Sequence, residues 1–314
     1  MKFLVTGGAG FIGSHLVEEL VKNHHKVICV DDLSTGKLEY LTTSSNISFI
    51  NNQIQNCNIN DFPKGINGIF HLGAQPSVPL SIENLYSSSA NNILSSLWVF
   101  NYAKSQKIPV VYASSSAVYG NLPIGNDQVK KYDILSPYAQ DKLTLEHYAK
   151  ICWELYKIPS IGLRFFNVYG PRQDPSNPYS GVISIFIDRL LKNKPVQLNG
   201  GYQTRDFIYV KDVASFISKS MILLYEERIS DVFNIGTGIS VSISQLLDHL
   251  RKITRADVKV VQKKLPKGDP KKSAGTYEKM ENYLNVNLSQ CTKLIDGLIS
   301  TVDFIKMDMN DEKI

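Results

Sequence analysis

Three glycines spaced three apart, Gly7, Gly10 and Gly13, constrain this chain more than any other feature. Before them lies a short apolar run, residues 2–6, that reads as a buried strand. After them Ser14-His15-Leu16-Val17-Glu18-Glu19-Leu20 continues with helical periodicity. A second buried strand is expected over Lys26–Val30, ending in Asp31-Asp32. Strand, glycine turn, helix, strand and acid, in that order, describe a dinucleotide site. Glycine lets the chain turn tightly and brings backbone N–H groups against a pyrophosphate at the helix N-terminus, where the helix dipole favours anions. The spacing is G-x-x-G-x-x-G rather than G-x-G-x-x-G, and a glycine triplet alone says little. The acid 18 residues beyond Gly13 makes the assignment specific. Asp31 stands where a carboxylate accepts both ribose hydroxyls of adenosine and repels a 2′-phosphate. No arginine stands nearby to receive one, so NAD is expected rather than NADP. Asp32 reads equally well as an ordinary turn residue.

Further strands are expected at Ile47–Ile50, Gly68–Leu72, Val110–Ala113 and Ile158–Phe165, with helices at Leu85–Gln106 and from Pro137 to about Tyr156. Strands alternating with helices imply an α/β fold: a doubly wound parallel sheet of Rossmann type, with ligands beyond the carboxyl ends of its strands. A Gly/Pro-rich stretch from Gly170 to Pro178 reads as a loop leaving this domain. Beyond it come a helix near Ile183–Lys192, a strand near Val196–Leu198 and helices near 212–225, 242–253 and 290–306. Asp206–Val210 reads as a strand returning to the first domain. The expected division is 1–167 with 206–235 for the NAD-binding domain, and 168–205 with 236–314 for a smaller, discontinuous substrate-binding domain.

Ser136-Pro137-Tyr138 opens the helix with a capping residue and a proline suited to its first position. Tyr138 and Lys142 are four apart and share one face. An ammonium beside a phenol favours phenolate, so the tyrosine pKa is expected to fall from its usual ~10 towards working pH. Alone, Y-x-x-x-K usually marks a solvated pair. Here a serine run, Ser114-Ser115-Ser116, follows a strand of the same sheet. A hydroxyl from that run can hydrogen-bond a substrate alcohol and pass its proton to Tyr138. Hydride removal from the alcohol carbon to nicotinamide would complete an oxidation.

Composition narrows the alternatives. The formal net charge of +5 and the lysines between Lys259 and Lys272 come without aromatic interleaving, which argues against nucleic acid. The four cysteines, Cys29, Cys57, Cys152 and Cys291, have no paired spacing, so reduced thiols are expected rather than disulfides or a metal site. A strand beginning at Lys2 argues against a signal peptide, and no apolar run approaches the ~20 residues of a membrane span. A cytoplasmic location is expected.

With these motifs in order, the chain resembles the extended short-chain dehydrogenase/reductase family, and within it the UDP-hexose 4-epimerases that act on UDP-glucose or UDP-N-acetylglucosamine. The resemblance is carried by TGGAGFIG (Thr6–Gly13), VDDLSTG (Val30–Gly36), ASSSAVYG (Ala113–Gly120), SPYAQDK (Ser136–Lys142), LRFFNVYGPRQDP (Leu163–Pro175) and RDFIYVKD (Arg205–Asp212). It implies Ser115, Tyr138 and Lys142 as catalytic residues. For NAD it implies Gly7, Gly10, Phe11, Ile12 and Gly13 at the turn, and Asp31, Asp32, Ser34, Thr35 and Gly36 after the second strand. Gln53, Ile54, Leu72, Gly73, Ala74, Asn92 and Phe165 complete that set, with Tyr138 and Lys142. For a UDP-sugar it implies Ser115, Ser116, Tyr138, Asn167 and Arg205, with Val182, Gln197, Asn199 and Asp269 around the uridine. Gln53 stands where the family often has aspartate, and Pro76 where some members have lysine. The usual diphosphate arginine before Asp269 is absent, with Lys267 offset by one.

Similar dehydratases and decarboxylases place acids at the positions that directly follow the catalytic serine. The corresponding positions, counted from Ser115, hold Ser116 and Ala117, and this favours 4-epimerisation by transient oxidation, rotation of the keto sugar and hydride return. Ser273 falls at the gate that a tyrosine occupies in some epimerases. A small residue there leaves room for an N-acetyl group, which Gln173 and Ser77 could bind. The resemblance also implies a homodimer built on the two long helices, to which Leu145, Ala149, Trp153 and Tyr156 could contribute, although these suit a core helix equally. The alternatives are a UDP-glucuronate decarboxylase, a nucleotide-sugar 4,6-dehydratase, or an NAD-binding regulatory scaffold without catalysis.

Overall fold

The structure, a computed structural model, describes residues 1–177, 180–265 and 270–311. Its strands are β1 (Lys2–Thr6), β2 (Lys26–Asp31), β3 (Ile47–Asn51), β4 (Gly68–His71), β5 (Val110–Ser115), β6 (Ser160–Phe165), β7 (Asn167–Tyr169), β8 (Val196–Asn199), β9 (Thr204–Tyr209), β10 (Ser230–Ile235), β11 (Ser240–Ser242), β12 (Val260–Lys263) and β13 (Lys272–Ser273). Its helices are α1 (Phe11–Lys22), α2 (Val78–Glu83), α3 (Leu85–Gln106), α4 (Pro137–Tyr156), α5 (Val182–Leu191), α6 (Val210–Glu227), α7 (Ile243–Thr254), α8 (Glu278–Leu284) and α9 (Leu294–Asp311).

Seven strands pair in the order β10-β6-β5-β4-β1-β2-β3, all parallel. A parallel sheet needs cover on both faces, which is why β4 and β6 are apolar-rich and buried throughout. On one face Leu16, Val17 and Leu20 of α1 join Val213 and Ile217 of α6; on the other Val99, Phe100 and Ala103 of α3 join Leu145 and Ala149 of α4. The chain reverses direction of winding between β1 and β4, and this switch point lies beside the glycine turn.

Helices α3 and α4 span the residues that periodicity predicts. α4 opens with the Ser136 hydroxyl accepting from the Ala139 N–H at 3.2 Å and closes on Lys157 in a left-handed conformation. Leu145 and Ala149 are core residues, so they are not available on an outer face of α4, whereas Tyr156 is exposed.

The strand expected over Asp206–Val210 exists as β9, but it does not join the seven-stranded sheet. It pairs with β7, β11 and β13 in a separate four-stranded sheet, while β8 pairs with β12. The strand that returns is β10, aligned with β6 from Ser230–Ser160 to Ile235–Phe165. The reason lies in Asp206, a buried carboxylate that needs donors. It finds them in the Thr237 N–H (3.0 Å) and hydroxyl (2.7 Å), the Gly238 N–H (2.8 Å) and the Tyr277 hydroxyl (2.5 Å). The apolar helices α5, α7 and α9 cover this second unit, through Ile187, Leu246, Leu250 and Val302.

Hydrogen bonds to buried charges contribute about 1.5–3 kcal/mol. Tyr277→Phe should therefore lower unfolding free energy by about that amount in urea titration, with an unchanged m-value.

Candidate active site

A cavity of about 460 Å³ opens along the carboxyl edge of the large sheet, from the β1–α1 turn past β5 to the start of α5. Backbone crowding explains the glycines at its floor. A Cβ on Gly13 would fall 2.0 Å from the Gly7 carbonyl oxygen. A Cβ on Gly7, which holds a φ of +69°, would fall 2.6 Å from the Gly73 nitrogen. Gly10 meets only the Gly7 oxygen, at 3.2 Å, so its open side is left to the cavity. Gly10 caps α1 without a side-chain bond, and no acid lies in the first turn. Phe11, Ile12 and Gly13 line the cavity there, at the electropositive end of α1, which suits a pyrophosphate.

A chain of hydrogen bonds holds the opposite wall against this turn. Thr6 Oγ1 accepts from the Gly73 N–H at 3.1 Å and lies 2.8 Å from His71 Nδ1; His71 Nε2 lies 3.1 Å from Ser96 Oγ, which donates to the Asn92 carbonyl at 2.6 Å. Burial brings the His71 pKa down to about 3, so the ring is neutral and one nitrogen donates while the other accepts.

Asp31 is buried, with one oxygen accepting from the Ala9 N–H at 3.0 Å and the other from the Leu33 N–H at 2.9 Å. Burial raises its pKa and these amides oppose the rise. Asp32 accepts from the Ser34 N–H (3.0 Å) and hydroxyl (2.6 Å) and from Gln53 Nε2 (3.0 Å), and its pKa is lowered by these bonds in spite of desolvation. Both acids line the cavity, as do Ser34, Thr35, Gln53, Ile54, Leu72, Ala74 and Phe165. Gly36 does not: it is buried against the Ala9 backbone and Asp31. Asn92 is also behind the wall, accepting from the Gln75 N–H at 2.8 Å and donating to Asp141 at 3.1 Å. The residues present thus fit NAD: a glycine cradle, helix-end amides with no partner among the described residues, and an acid on the cavity wall.

Ser115, Tyr138 and Lys142 meet on the cavity wall. Tyr138 starts α4, where its N–H donates to Ser81 Oγ of α2 at 3.2 Å, and it lines the same cavity wall as Ser115, whose hydroxyl accepts from the Ala117 N–H at 3.1 Å. Lys142 Nζ donates to the Ala113 carbonyl at 2.9 Å and lies 5.7 Å from the centre of the Tyr138 ring. The expected fall in the phenol pKa is not found. Burial raises it, the Ser115 hydroxyl opposes the rise, and the nearby Asp141 charge adds to it. Lys142 spends its ammonium on the Ala113 carbonyl, and burial lowers its own pKa to about 8, against a rise from Asp141.

The substrate candidates divide. Asn167, Gln173 and Val182 line the cavity with Ser115 and Tyr138. Asn167 Nδ2 donates to the Asp206 carbonyl at 3.0 Å, and Gln173 Oε1 is a buried acceptor with no partner among the described residues. Ser77 instead caps α2, accepting from the Leu80 N–H at 3.1 Å. Ser116 begins the short turn after β5. Gln197 and Asn199, joined at 3.0 Å, lie on β8. Arg205 donates to the Pro270 carbonyl at 2.8 Å, and Ser273 pairs with Arg205 across β13 and β9. None of these six lines the cavity among the described residues. Asp269 and Lys267 lie outside the described residues.

Sequence reasoning assigned no role to Arg172, yet it lines the cavity and fastens the Gln173 loop to α1 through Glu18 at 2.7 Å, while His15 Nε2 lies 3.0 Å from the Pro171 carbonyl. Its left-handed backbone (φ 68°) and its place inside the quoted LRFFNVYGPRQDP motif were the available signals.

A UDP-N-acetylglucosamine 4-epimerase from Methanobrevibacter ruminantium, solved with UDP-N-acetylmuramic acid, is 33% identical and superposes with a TM-score of 0.91 over 98% of this chain and 99% of that one. The UDP-glucose 4-epimerase of Thermotoga maritima, solved with UDP-glucose, is 33% identical with a TM-score of 0.89 over 98% and 100%. A UDP-N-acetyl-alpha-D-glucosaminuronate decarboxylase of Bacillus cytotoxicus is 34% identical over 82% of each chain. A family profile matches residues 3–236, so the chain belongs to the NAD dependent epimerase/dehydratase family, with NAD as its cofactor.

Proposed function

We propose that this enzyme is a UDP-hexose 4-epimerase, acting on UDP-N-acetylglucosamine and alongside it on UDP-glucose. The observation that carries the reading is the make-up of the catalytic wall. Ser115, Tyr138 and Lys142 converge there, and Ser116 and Ala117 follow Ser115 without an acid. Among the described residues, the acids that line the cavity are Asp31, Asp32 and Asp174. Asp31 ends β2 and Asp32 follows it, and Asp174 is tied to Ser176 at 2.7 Å. No carboxylate is thus in the serine turn to carry a keto intermediate on to elimination or decarboxylation. The likeness to two 4-epimerases over nearly the whole chain supports the same reading.

When bound, NAD supplies the hydride acceptor and, on return, the donor. The Ser115 hydroxyl orients the sugar C4 hydroxyl, and Tyr138 Oη takes its proton and later gives it back. Lys142, anchored to Ala113, keeps the phenol and the ribose side of the cavity in line. Because burial raises the phenol pKa, the ionised form has to be supported by the loaded site. Gln173 offers its unpartnered Oε1 to a donor on the substrate, and an acetamido N–H at C2 matches it. Ser273, half-buried and small, is proposed as the gate that admits this group. A homodimer is proposed on the outer faces of the long helices, where Tyr86, Leu94 and Leu97 of α3 and Ile151 and Leu155 of α4 are exposed.

Incubation with UDP-N-acetylglucosamine, UDP-glucose and UDP-glucuronate, followed by NMR, should give 4-epimers from the first two. A 4-keto-6-deoxy sugar, or carbon dioxide from the third, would replace the reading with dehydration or decarboxylation. Tyr138→Phe should lower kcat by about 10²–10⁴. Ser273→Tyr should lower turnover of the acetylated sugar and spare UDP-glucose; equal turnover of both would sink the gate.

Lys142 carries a stability cost. Its folded pKa of about 8 lies below its ordinary value, so below pH 8 it is charged in both states and the cost of burying that charge is fully present. The cost fades as pH rises from about 8 towards 10.5, where the folded form has lost its proton and the unfolded form still holds one. Lys142→Met should stabilise the cofactor-free protein at pH 7 by on the order of 2 kcal/mol, with the gain shrinking above pH 8, as read by urea denaturation.

A further inference from the structure

One turn beyond Lys142 on α4 stands Glu146, a buried carboxylate that the reaction does not use. Tyr138, Lys142 and Glu146 are spaced by four and share the face of α4 turned to β5 and β6. Two of them are tied to successive residues of β5: Lys142 Nζ holds the Ala113 carbonyl at 2.9 Å, and Glu146 Oε1 accepts from the Ser114 hydroxyl at 2.5 Å. The next residue of β5, Ser115, lines the cavity together with Tyr138. Glu146 is also the partner of Arg164 on β6, which donates from Nε to Oε1 at 2.8 Å and from a terminal nitrogen to Oε2 at 2.6 Å. The other terminal nitrogen of Arg164 donates to the Tyr119 hydroxyl at 2.6 Å, and that hydroxyl donates to Asn234 on β10 at 2.7 Å. The ion pair is 3% and 5% exposed, so neither partner can turn to water.

We propose that Glu146 is a positioning residue: with Arg164 behind it, it sets the depth of α4 on the sheet, and through Ser114 it fixes how Ser115 faces the phenol. A two-pronged ion pair has one geometry, whereas apolar packing tolerates small slides. Proton transfer between neighbouring hydroxyls is short-ranged, and a shift of about 1 Å in reacting groups can cost about 10²-fold. The inference deepens the epimerase reading and rests on it.

The test measures the NAD-loaded protein and two variants. Glu146→Gln keeps an acceptor for Ser114 but removes the counter-charge of Arg164. Ser114→Ala removes a single hydroxyl and leaves the ion pair whole, so it should fold, with a melting midpoint lowered by a few degrees. Expected are a fall in kcat of about 10²-fold for Glu146→Gln and about 10-fold for Ser114→Ala, with KM for the UDP-sugar and bound NAD within about twofold of wild type. A purely structural role would instead raise KM and release NAD together with the loss of kcat, and that outcome, like wild-type kcat in both variants, overturns the proposal. Amide hydrogen exchange separates this failure from failure of the epimerase reading. A wild type that turns over no UDP-sugar ends that reading. Faster exchange at residues 138–142 in Glu146→Gln, with β1 and β2 unchanged, still supports the positioning role, and equal exchange ends it.

Discussion

The carbonyl oxygen of Gly7 occupies the space where a side chain at position 13 would begin. That single steric fact lets β1 pass into α1 with no intervening bulk, and it leaves the first amides of α1 facing a cavity instead of a side chain. The cavity then extends along the only edge of the sheet where strand ends, helix starts and loops converge. Gly73 is pressed against Gly7 by the hydroxyl of Thr6 and the neutral ring of His71, so the cofactor turn is gripped from the neighbouring strand as well. Cofactor wall and catalytic wall are thereby built from one stack of β1, β4 and β5.

Polar groups in the interior are placed by the same logic of completeness. Asp31, Asp206 and Glu146 are each buried, and each has at least one donor supplied by a residue far away in the chain. Lys142 is the exception: among the described residues a carbonyl is its one hydrogen-bond partner, and desolvation dominates its titration. A destabilised charge at this place accords with the role proposed for it.

Much of this was legible in the sequence because it is local. The six strands from β1 to β6 follow from apolar runs, and α3 and α4 from periodicity with Ser136-Pro137 as a start signal. What was not legible depends on partners from elsewhere. β10 hides behind Asn234, a polar residue in a buried strand, whose side chain is satisfied by Tyr119, Gly125 and Thr276 from distant segments. β9 has the composition of a central strand, and only the donors of Thr237, Gly238 and Tyr277 reveal which sheet takes it. The Tyr138–Lys142 spacing correctly placed both on one face, but the direction of the phenol pKa turned on burial and on the Ala113 carbonyl, neither of which spacing encodes. The cavity-lining subset of the candidates is likewise a matter of depth: Asn91 lines it while Asn92, its neighbour, faces α4.

The segment joining Ser115 to Tyr138 is not a free loop. Gly125 donates its N–H to the Ala274 carbonyl at 2.8 Å and accepts from the Thr276 N–H at 3.0 Å. The two halves of the catalytic pair are thus stitched, through their own connection, to the stretch that directly follows Ser273. Any outward swing of residues 274–276 must either snap this two-bond stitch or tug along the connection between Ser115 and Tyr138.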